Sequence, residues 1–370
     1  MKRLAAIAVL MIVLGGCTSE PPESHVTNPT EIDTPYDTSQ IRQTGSQKVT
    51  FGGIPYTATS YVNDAYLCGT GKDPYPFIVV EQTALAGEQR PLWAMLHGGG
   101  TGWYDKSGVY QGQESYNNAE SAPALLAVLA GYLGFTGTAD TFIGDRIRAG
   151  DRVALGSLCD HDLMMGLGQP YPNNPAGGTV DGLLANLAMM DWVSSDRPTS
   201  TRWIVGQSAG SYGAWALAHN LWSRGLPVSG VIMDSGLLSA RSFDLFDAGV
   251  GAEYYKFDAA EMAAKHGPYF TDPSLYAENA IGAGFDIPLF NADAQGDPGC
   301  GGASAPIAAA TTAGYAFNCD WLNAALADAI AADGNPNTQQ SHVYPGGGHI
   351  VTSTPGKVQA DLRAWFASLG

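Results

Sequence analysis

The sequence predicts an α/β fold with a mostly parallel central sheet and helices on both faces. Two observations lead to this fold class. Apolar runs of strand length alternate with helical patterns from residue 48 onward, as in parallel sheets whose strands are joined by crossover helices. At residues 203–221 an apolar run, a glycine-rich turn and a helical pattern follow one another directly. Residues 48–370 are therefore predicted to form one domain.

The individual elements follow from local sequence patterns. Short apolar runs bounded by glycine, proline or acidic residues predict strands, and longer runs with apolar residues three and four apart predict helices. The predicted strands are residues 48–62, 75–80, 92–96, 153–158, 203–205, 231–233, 287–292 and 341–344, and the predicted helices are residues 119–133, 180–194 and 214–221.

The motif Gly206–Gly210 (GQSAG) lies at the turn between a predicted strand and a predicted helix. Glycines at both ends of G-x-S-x-G are needed because the turn strains the serine backbone and leaves no room for neighbouring side chains. The hydroxyl of Ser208 is therefore predicted to stand at the edge of the sheet as a nucleophile.

Two further segments, one before and one after this motif in the chain, contain groups that could act together with Ser208. The predicted strand 92–96 runs into His97–Gly100, a glycine-rich loop whose backbone N–H groups can approach a substrate oxygen closely. Near the C-terminus, the loop after strand 341–344 carries His349. Such a loop lets an imidazole reach a serine that is far away in sequence.

These three segments together resemble the α/β-hydrolase fold family, whose triad members follow in the order serine, acid, histidine. The resemblance covers residues 48–370 and implies that Ser208 is the nucleophile and His349 the general base. It also implies an oxyanion hole made by the backbone N–H of Ala209 and that of Gly99 or Gly100.

The acid should follow a strand that lies between the nucleophile elbow, the turn Gly206–Gly210, and His349. Family members commonly carry it about nine residues after the proline that opens this strand, here Pro288, and the resemblance therefore points to Asp297. Asp293 is the second choice and Asp234, after the preceding predicted strand, is the third. These alternatives are expected to cap turns or helix ends.

The family resemblance also implies a cap at residues 241–286, a stretch rich in aromatic side chains. Such a cap would shape an apolar pocket. Alternatively, its aromatic rings would simply pack the inserted segment against the rest of the domain. Asp160 and His161 follow the predicted strand 153–158, at the sheet edge where ligands gather. With His97, which is also expected to orient the oxyanion loop, they are the substrate-binding candidates.

No metal and no cofactor are predicted. The potential ligands in Cys159–Asp162 are consecutive, and alternate side chains of an extended segment point to opposite faces, unlike the ligands of a zinc site. The stretch from Cys159 to Pro175, together with the G-x-S-A-G elbow, resembles the pectin acetylesterase-related branch of the fold. That branch usually has cysteine before the serine and a further glycine after the motif, where this chain has Gln207 and Ser211.

The N-terminus predicts export. Lys2 and Arg3 precede an apolar run that is too short to span a membrane and is typical of a secretory signal. The run ends in Leu14–Cys17, which resembles the bacterial lipobox, and this implies a lipoprotein-type signal peptide at residues 1–17 with a lipid anchor on Cys17. Residues 18–47 are polar and predict a disordered tether. The protein is expected to be a bacterial cell-envelope lipoprotein or to be secreted.

Four cysteines remain after Cys17. An even number in an exported chain suggests two disulfides. Four cysteines allow three pairings, between which the sequence does not decide. The preferred pair is Cys300 with Cys319, which would brace the loop carrying the acid, and this leaves Cys68 with Cys159.

The charge limits the partners. A formal net charge of −17 argues against nucleic acid and against strongly polyanionic substrates. Neutral esters, small or polymeric, fit better, with the membrane as a further partner through the anchor. The sequence therefore predicts an extracytoplasmic serine hydrolase that cleaves carboxylic esters through an acyl-enzyme. A peptidase or amidase with the same triad, or a non-catalytic binding lipoprotein, is the alternative, and the oligomeric state is not predicted.

Overall fold

The computed structural model describes residues 35–100, 102–132, 140–236, 287–295, 297, 326–328, 330–331, 338–346 and 348–370. Several predictions fall outside these ranges. They are the signal peptide at 1–17 with Cys17, the tether up to residue 34, the cap at 241–286, and the pairing of Cys300 with Cys319.

The described residues form a large mixed sheet, most of which is parallel. Its strand order is β1-β2-β3-β7-β4-β10-β11-β12-β13. The first three strands pair antiparallel, β3 pairs antiparallel with β7, and the strands from β7 to β13 run parallel. The strands are β1 (Ile41–Phe51), β2 (Ile54–Leu67), β3 (Pro74–Gln82), β4 (Arg90–Leu96), β7 (Arg152–Gly156), β10 (Thr199–Gln207), β11 (Gly230–Asp234), β12 (Leu289–Ala294) and β13 (Gln339–Tyr344).

Two short antiparallel ribbons and five α-helices flank this sheet, and two 3-10 helices and a few helical residues between 326 and 331 are also described. The ribbons are β5 (Trp103–Tyr104) with β6 (Tyr110–Gln111), and β8 (Gln169–Pro170) with β9 (Thr179–Val180). The helices are α1 (Ala122–Tyr132), α2 (Phe142–Arg148), α3 (Gly182–Asp196), α4 (Ala209–Ser223) and α5 (Lys357–Ser368). In these ranges no helix is long and apolar enough to cross a membrane.

Two predictions about the N-terminal part are wrong. The tether was predicted to reach residue 47, but β1 begins at Ile41 and pairs with β2 as the edge strand of the sheet. The single strand predicted over residues 48–62 is a hairpin. Gly52 and Gly53, with φ of 56° and 81°, form its two-residue turn, a conformation that glycine adopts without steric cost. β1 is mostly polar and exposed and so lacks the apolar run that marks a strand, whereas the Gly52–Gly53 turn is a hairpin signal that the prediction overlooked.

Helices cover both faces of the sheet, as predicted. Along β4, Leu92, Ala94 and Leu96 are buried in the core on the side of α3 and α4, whereas Trp93 and Met95 are buried in the core on the side of α1, α2 and α5. Because successive side chains of a strand point to opposite faces, this continuous apolar run requires apolar partners on both sides. The predicted α/β fold class is confirmed.

The parallel strands all present their carboxyl ends at one edge of the sheet. The loop after β4 begins at His97, the turn after β10 is Ser208, and the segment after β12 leads to Asp297. In open α/β sheets this edge is where ligands bind. The residues singled out from the sequence therefore converge there.

Candidate active site

Ser208 occupies a strained turn between β10 and α4. Its φ of 51° and ψ of −120° lie in a region that non-glycine residues rarely adopt. A Cβ on Gly206 would overlap the carbonyl oxygen of Gly210, and a Cβ on Gly210 would overlap that of Leu96. The backbone thus passes too close to its neighbours for any side chain at either position, as the G-x-S-x-G motif predicts.

His349 lies between Ser208 and Asp297. Its Nε2 is 2.7 Å from Oγ of Ser208, and its Nδ1 is 2.7 Å from Oδ2 of Asp297. The Asp297 side chain is 0% exposed, while that of His349 is 34% exposed. A buried carboxylate that accepts from Nδ1 leaves Nε2 free to accept the serine proton. Three residues far apart in sequence are therefore arranged for proton transfer from a hydroxyl.

The hydrogen bond to Asp297 raises the pKa of His349. Burial acts in the opposite direction, and the negative charges of Asp297, Asp234 and Asp293 add to the increase. The imidazolium is therefore stabilised more than the neutral ring. This matters for a general base, because the ring carries a proton midway through the reaction.

Asp234, the third choice for the acid, holds the histidine loop instead. Its carboxylate is fully buried and receives hydrogen bonds from the backbone N–H groups of Val351 and Thr352, at 3.0 and 2.7 Å. The hydroxyls of Thr352 and Ser235 also donate to it. Burial raises the pKa of Asp234, and these hydrogen bonds act against that increase. The arrangement ties the end of β11 to the loop just after His349.

The backbone of Asp234 also supports the turn that carries Ser208. Its carbonyl oxygen accepts from the N–H of Ser208 at 2.8 Å and from the hydroxyl of Ser211 at 2.7 Å. Ser211 in turn accepts from the Asp234 N–H at 3.0 Å. Sequence reasoning missed both roles of Asp234, because nothing near it in the chain shows that it contacts the Ser208 turn and also a loop more than a hundred positions away.

We expect Asp234→Asn to destabilise the protein and to lower its activity. The amide would turn its NH₂ toward donors that now face carboxylate oxygens, and unsatisfied buried donors should lower the free energy of unfolding by about 3 kcal/mol. Urea denaturation measures this change. Asp64→Asn is the matched control, because Asp64 pairs with Arg42 on the surface and such pairs contribute less than about 1 kcal/mol. Equal effects of the two substitutions would contradict the expectation.

The glycine-rich loop after β4 lies against Ser208. A Cβ on Gly98 would stand 2.8 Å from Cβ of Ser208, so only a glycine lets this backbone come so close. At the other side of the elbow, Ala209 is the first residue of α4, and its N–H has no acceptor within the helix. In an acyl-transfer reaction, backbone donors at these positions would reach the oxyanion that forms when Oγ of Ser208 attacks a carbonyl carbon.

His97 is completely buried beneath this loop. Its Nε2 is 3.1 Å from Oε2 of Glu120, and its Nδ1 is 2.8 Å from the carbonyl oxygen of Gly98. Burial acts to raise the pKa of Glu120, but hydrogen bonds from His97, Ser157 and the Leu158 N–H outweigh it and lower that pKa. An ionised Glu120 thus anchors His97 under the loop, and Glu120 itself carried no sequence signal.

The other two substrate-binding candidates are also buried, each with 1% of its surface exposed. Asp160 accepts from the N–H of Asp181 at 2.7 Å, and Nε2 of His161 is 2.8 Å from the carbonyl oxygen of Gly99. The structure shows that these two residues and His97 contact backbone around the site. Their contact with substrate stays a prediction.

An open cavity of about 830 Å³ lies between the start of α1 and the segment after His349. Tyr116 links the cavity to the loop, because a Cβ on Gly99 would stand 2.9 Å from its ring. The residues that line this cavity include Tyr116, Ala119, Glu120, Ala124, Val128 and Ile350.

Cys68 and Cys159 form a disulfide with Cα atoms 5.0 Å apart. One of the pairings left open by the sequence is therefore present. It joins the end of β2 to the segment after β7 that carries Asp160 and His161. Within the described part of the chain, no group of three or more His, Cys, Asp or Glu residues is placed to hold a metal ion.

Comparisons with known proteins identify the fold. No family model matches the chain, and no curated protein matches it by sequence. Among solved structures, an S-formylglutathione hydrolase from Agrobacterium tumefaciens has a TM-score of 0.52 at 12% identity and covers 89% of this chain and 100% of its own. A glucuronoyl esterase from Solibacter usitatus has a TM-score of 0.49 at 11% identity, with 89% and 86% covered. The chain has the α/β-hydrolase fold.

Proposed function

We propose that this protein is an extracytoplasmic serine hydrolase that cleaves carboxylic esters through an acyl-enzyme. The observation that carries the proposal is the continuous hydrogen-bonded series from Asp297 through His349 to Ser208, with Ser208 on a strained elbow. This arrangement activates a hydroxyl that is otherwise unreactive at its own pKa. The esterase names among the structural neighbours are consistent with it.

The first half of the reaction forms the acyl-enzyme. His349 Nε2 takes the proton of Ser208 as Oγ attacks the ester carbonyl, and Asp297 stabilises the resulting imidazolium. The N–H of Ala209 and an N–H of the Gly99–Gly100 segment donate to the oxyanion. His349 then returns the proton to the leaving alcohol as the carbon–oxygen bond breaks.

Hydrolysis of the acyl-enzyme repeats these steps with water. His349 takes a proton from the attacking water, the same donors hold the second oxyanion, and the proton returns to Oγ of Ser208 as the acid leaves. No group beyond these side chains, backbone donors and water is required.

The substrate is proposed to be a neutral ester. The net charge of −17 repels polyanions, and the cavity beside α1 is lined by more apolar than polar surface, although serines, Asn118 and Glu120 also line it. Nothing in the comparisons points to the pectin acetylesterase-related branch, and that resemblance rests on the sequence motifs alone.

The site is proposed to operate outside the cytoplasm, with the chain held at the cell envelope through Cys17. The signal-like N-terminus and the resemblance of Leu14–Cys17 to a lipobox support this location. The Cys68–Cys159 disulfide adds support, because such bonds persist in oxidising compartments.

The proposal is tested by treating the purified mature chain with a fluorophosphonate probe and mapping the label by mass spectrometry. In parallel, p-nitrophenyl esters of increasing acyl length and matching anilides are offered as substrates. Labelling at Ser208 with preferential ester turnover is the expected result. Faster turnover of anilides would favour an amidase or peptidase. A folded sample that is neither labelled nor active would favour a non-catalytic binding protein.

A further inference from the structure

The segment that follows β7 has an unusual backbone. Three of the four residues from 161 to 164 have positive φ: His161 at 51°, Leu163 at 59° and Met164 at 57°. None of them is glycine, and each such conformation costs free energy that the surrounding structure must offset. A strained turn of this kind is maintained only where other contacts determine its shape.

Those contacts come mainly from Asp162. Its buried carboxylate accepts, at 2.9 Å each, from the backbone N–H groups of Met164, Gly166 and Gly182. It thereby joins the turn to the first residue of α3. Asp160 and the Cys68–Cys159 disulfide tie down the preceding residues. The segment is therefore a rigid support whose one aromatic side chain, His161, is directed at the glycine-rich loop.

The two ring nitrogens of His161 have different partners. Nε2 is 2.8 Å from the carbonyl oxygen of Gly99, which can only accept, so Nε2 carries a proton. Nδ1 contacts the hydroxyl of Tyr110, which can donate to it. Tyr110 therefore favours the tautomer that donates to Gly99.

Close packing brings Tyr110 to this position. The ribbon β5–β6 carries it over Gly102, where a Cβ would overlap both the Tyr110 hydroxyl and Nδ1 of His161. Tyr116 also packs against His161, with its ring centroid 5.6 Å from that of His161. The imidazole is thus fixed in orientation as well as in tautomer.

We propose that His161 is a positioning residue that holds the Gly99–Gly100 peptide and thereby aims the N–H of Gly100 as an oxyanion donor. A trans peptide is planar, with its C=O and N–H pointing in opposite directions. A donor that holds the Gly99 carbonyl therefore also fixes the direction of the Gly100 N–H. His97 holds the preceding peptide in the same way, through the carbonyl of Gly98.

The proposal rests on the proposed hydrolase function and concerns the same site. The side chain of His161 is buried between the Gly99 carbonyl and the side chains of Tyr110 and Tyr116. Its contribution should thus appear where the oxyanion develops and not in the binding of the intact ester. A donor that acts only in the transition state lowers kcat and leaves KM nearly unchanged when it is lost.

Two substitutions distinguish the contributions of the two ring nitrogens of His161. The amide nitrogen of glutamine lies near the position of Nε2, so His161→Gln keeps a donor toward Gly99. The amide nitrogen of asparagine lies near Nδ1, so His161→Asn keeps the contact with Tyr110 and loses the one with Gly99. Asparagine tolerates positive φ better than most residues. Increased backbone strain would therefore not account for a loss of activity in His161→Asn.

We expect His161→Asn to lower kcat about 10-fold to 100-fold with little change in KM, since losing a whole oxyanion donor costs at least about 100-fold. His161→Gln should recover most of this loss. The Ki of a trifluoromethyl ketone, which forms an oxyanion on Ser208, should rise in parallel with the fall in kcat/KM across the variants. Equal activity of both variants and the wild type, or equal losses in both with a raised KM, would overturn the proposal.

A second measurement does not depend on activity. Long-range ¹⁵N–¹H correlation spectra of histidine-labelled protein report which ring nitrogen carries the proton. We expect the Nε2–H tautomer for His161 in the wild type and a shift toward a mixture in Tyr110→Phe. The Nδ1–H tautomer in the wild type would leave the Gly99 carbonyl without this donor and would overturn the proposal. If the wild type hydrolyses no ester, the proposed function fails, and the spectra still decide whether His161 holds Gly99.

Discussion

Ser208→Ala is expected to lower kcat for ester hydrolysis by about 10⁴-fold to 10⁶-fold, the range seen when a triad nucleophile is removed. In the proposed mechanism the hydroxyl oxygen bonds the acyl group, and it lies 2.7 Å from Nε2 of His349. Without it, only the oxyanion donors and substrate binding remain to promote attack by water. The measurement is steady-state turnover of the best p-nitrophenyl ester, with active-site titration of the wild type.

Ser223→Ala is the matched control for this substitution. Ser223 is the last residue of α4, the helix that begins next to Ser208, and its hydroxyl donates to the carbonyl of Asn220. The control should keep wild-type kcat. Ester turnover by Ser208→Ala within tenfold of the wild type would mean that another residue carries the acyl group. Labelling by the fluorophosphonate should be lost in parallel with turnover.

Asp297→Asn is expected to lower kcat by about 10⁴-fold with the fold intact. The asparagine amide can donate where the carboxylate now accepts, so the imidazole would be held with the wrong nitrogen protonated. The hydrogen bond and charge of Asp297 also raise the pKa of His349. Since His349 must be unprotonated to act as a base, activity falls as the pH drops below that pKa. Removing the charge should shift this fall in activity, the acid limb of the pH–activity profile, to lower pH.

The pH profile of kcat/KM tests both parts of this expectation. Asp293→Asn is the matched control, because Asp293 is buried at the end of β12 and accepts from the N–H of Ala294 at 2.8 Å. Its substitution should reduce kcat far less. A larger loss in Asp293→Asn than in Asp297→Asn would transfer the role of the acid to Asp293. An unchanged acid limb in Asp297→Asn would mean that Asp297 does not set the pKa of His349.

Local patterns in the sequence predicted the elements that depend on neighbouring residues. The apolar run of β4, the G-x-S-x-G turn and the helix after it were all located from the sequence. Their hydrophobic period and glycine positions are local properties that the structure confirms. Edge strand β1 was misplaced, because a strand with one exposed side and polar residues lacks the apolar run that marks a central strand.

Contacts between distant segments could not be predicted in the same way. The sequence ranked Asp297, Asp293 and Asp234 as acids from their order and spacing. One of these carboxylates hydrogen-bonds to His349, and another binds the loop that follows His349. Their roles depend on the relative positions of β11, β12 and the loop that carries His349. Likewise, Glu120 beneath His97 and Tyr110 beside His161 lie in no motif.

The sequence by itself thus determined the fold class and predicted the nucleophile and the base, because strand and helix periods and the strained elbow are encoded within a few residues. Only the tertiary structure decided the partners of the three histidines at the site: His349 with Asp297, His97 with Glu120 and His161 with Tyr110. The physical reason is that a hydrogen bond depends on distance and direction to within a few tenths of an ångström. Positions of that accuracy arise only when the packed sheet brings its loops together.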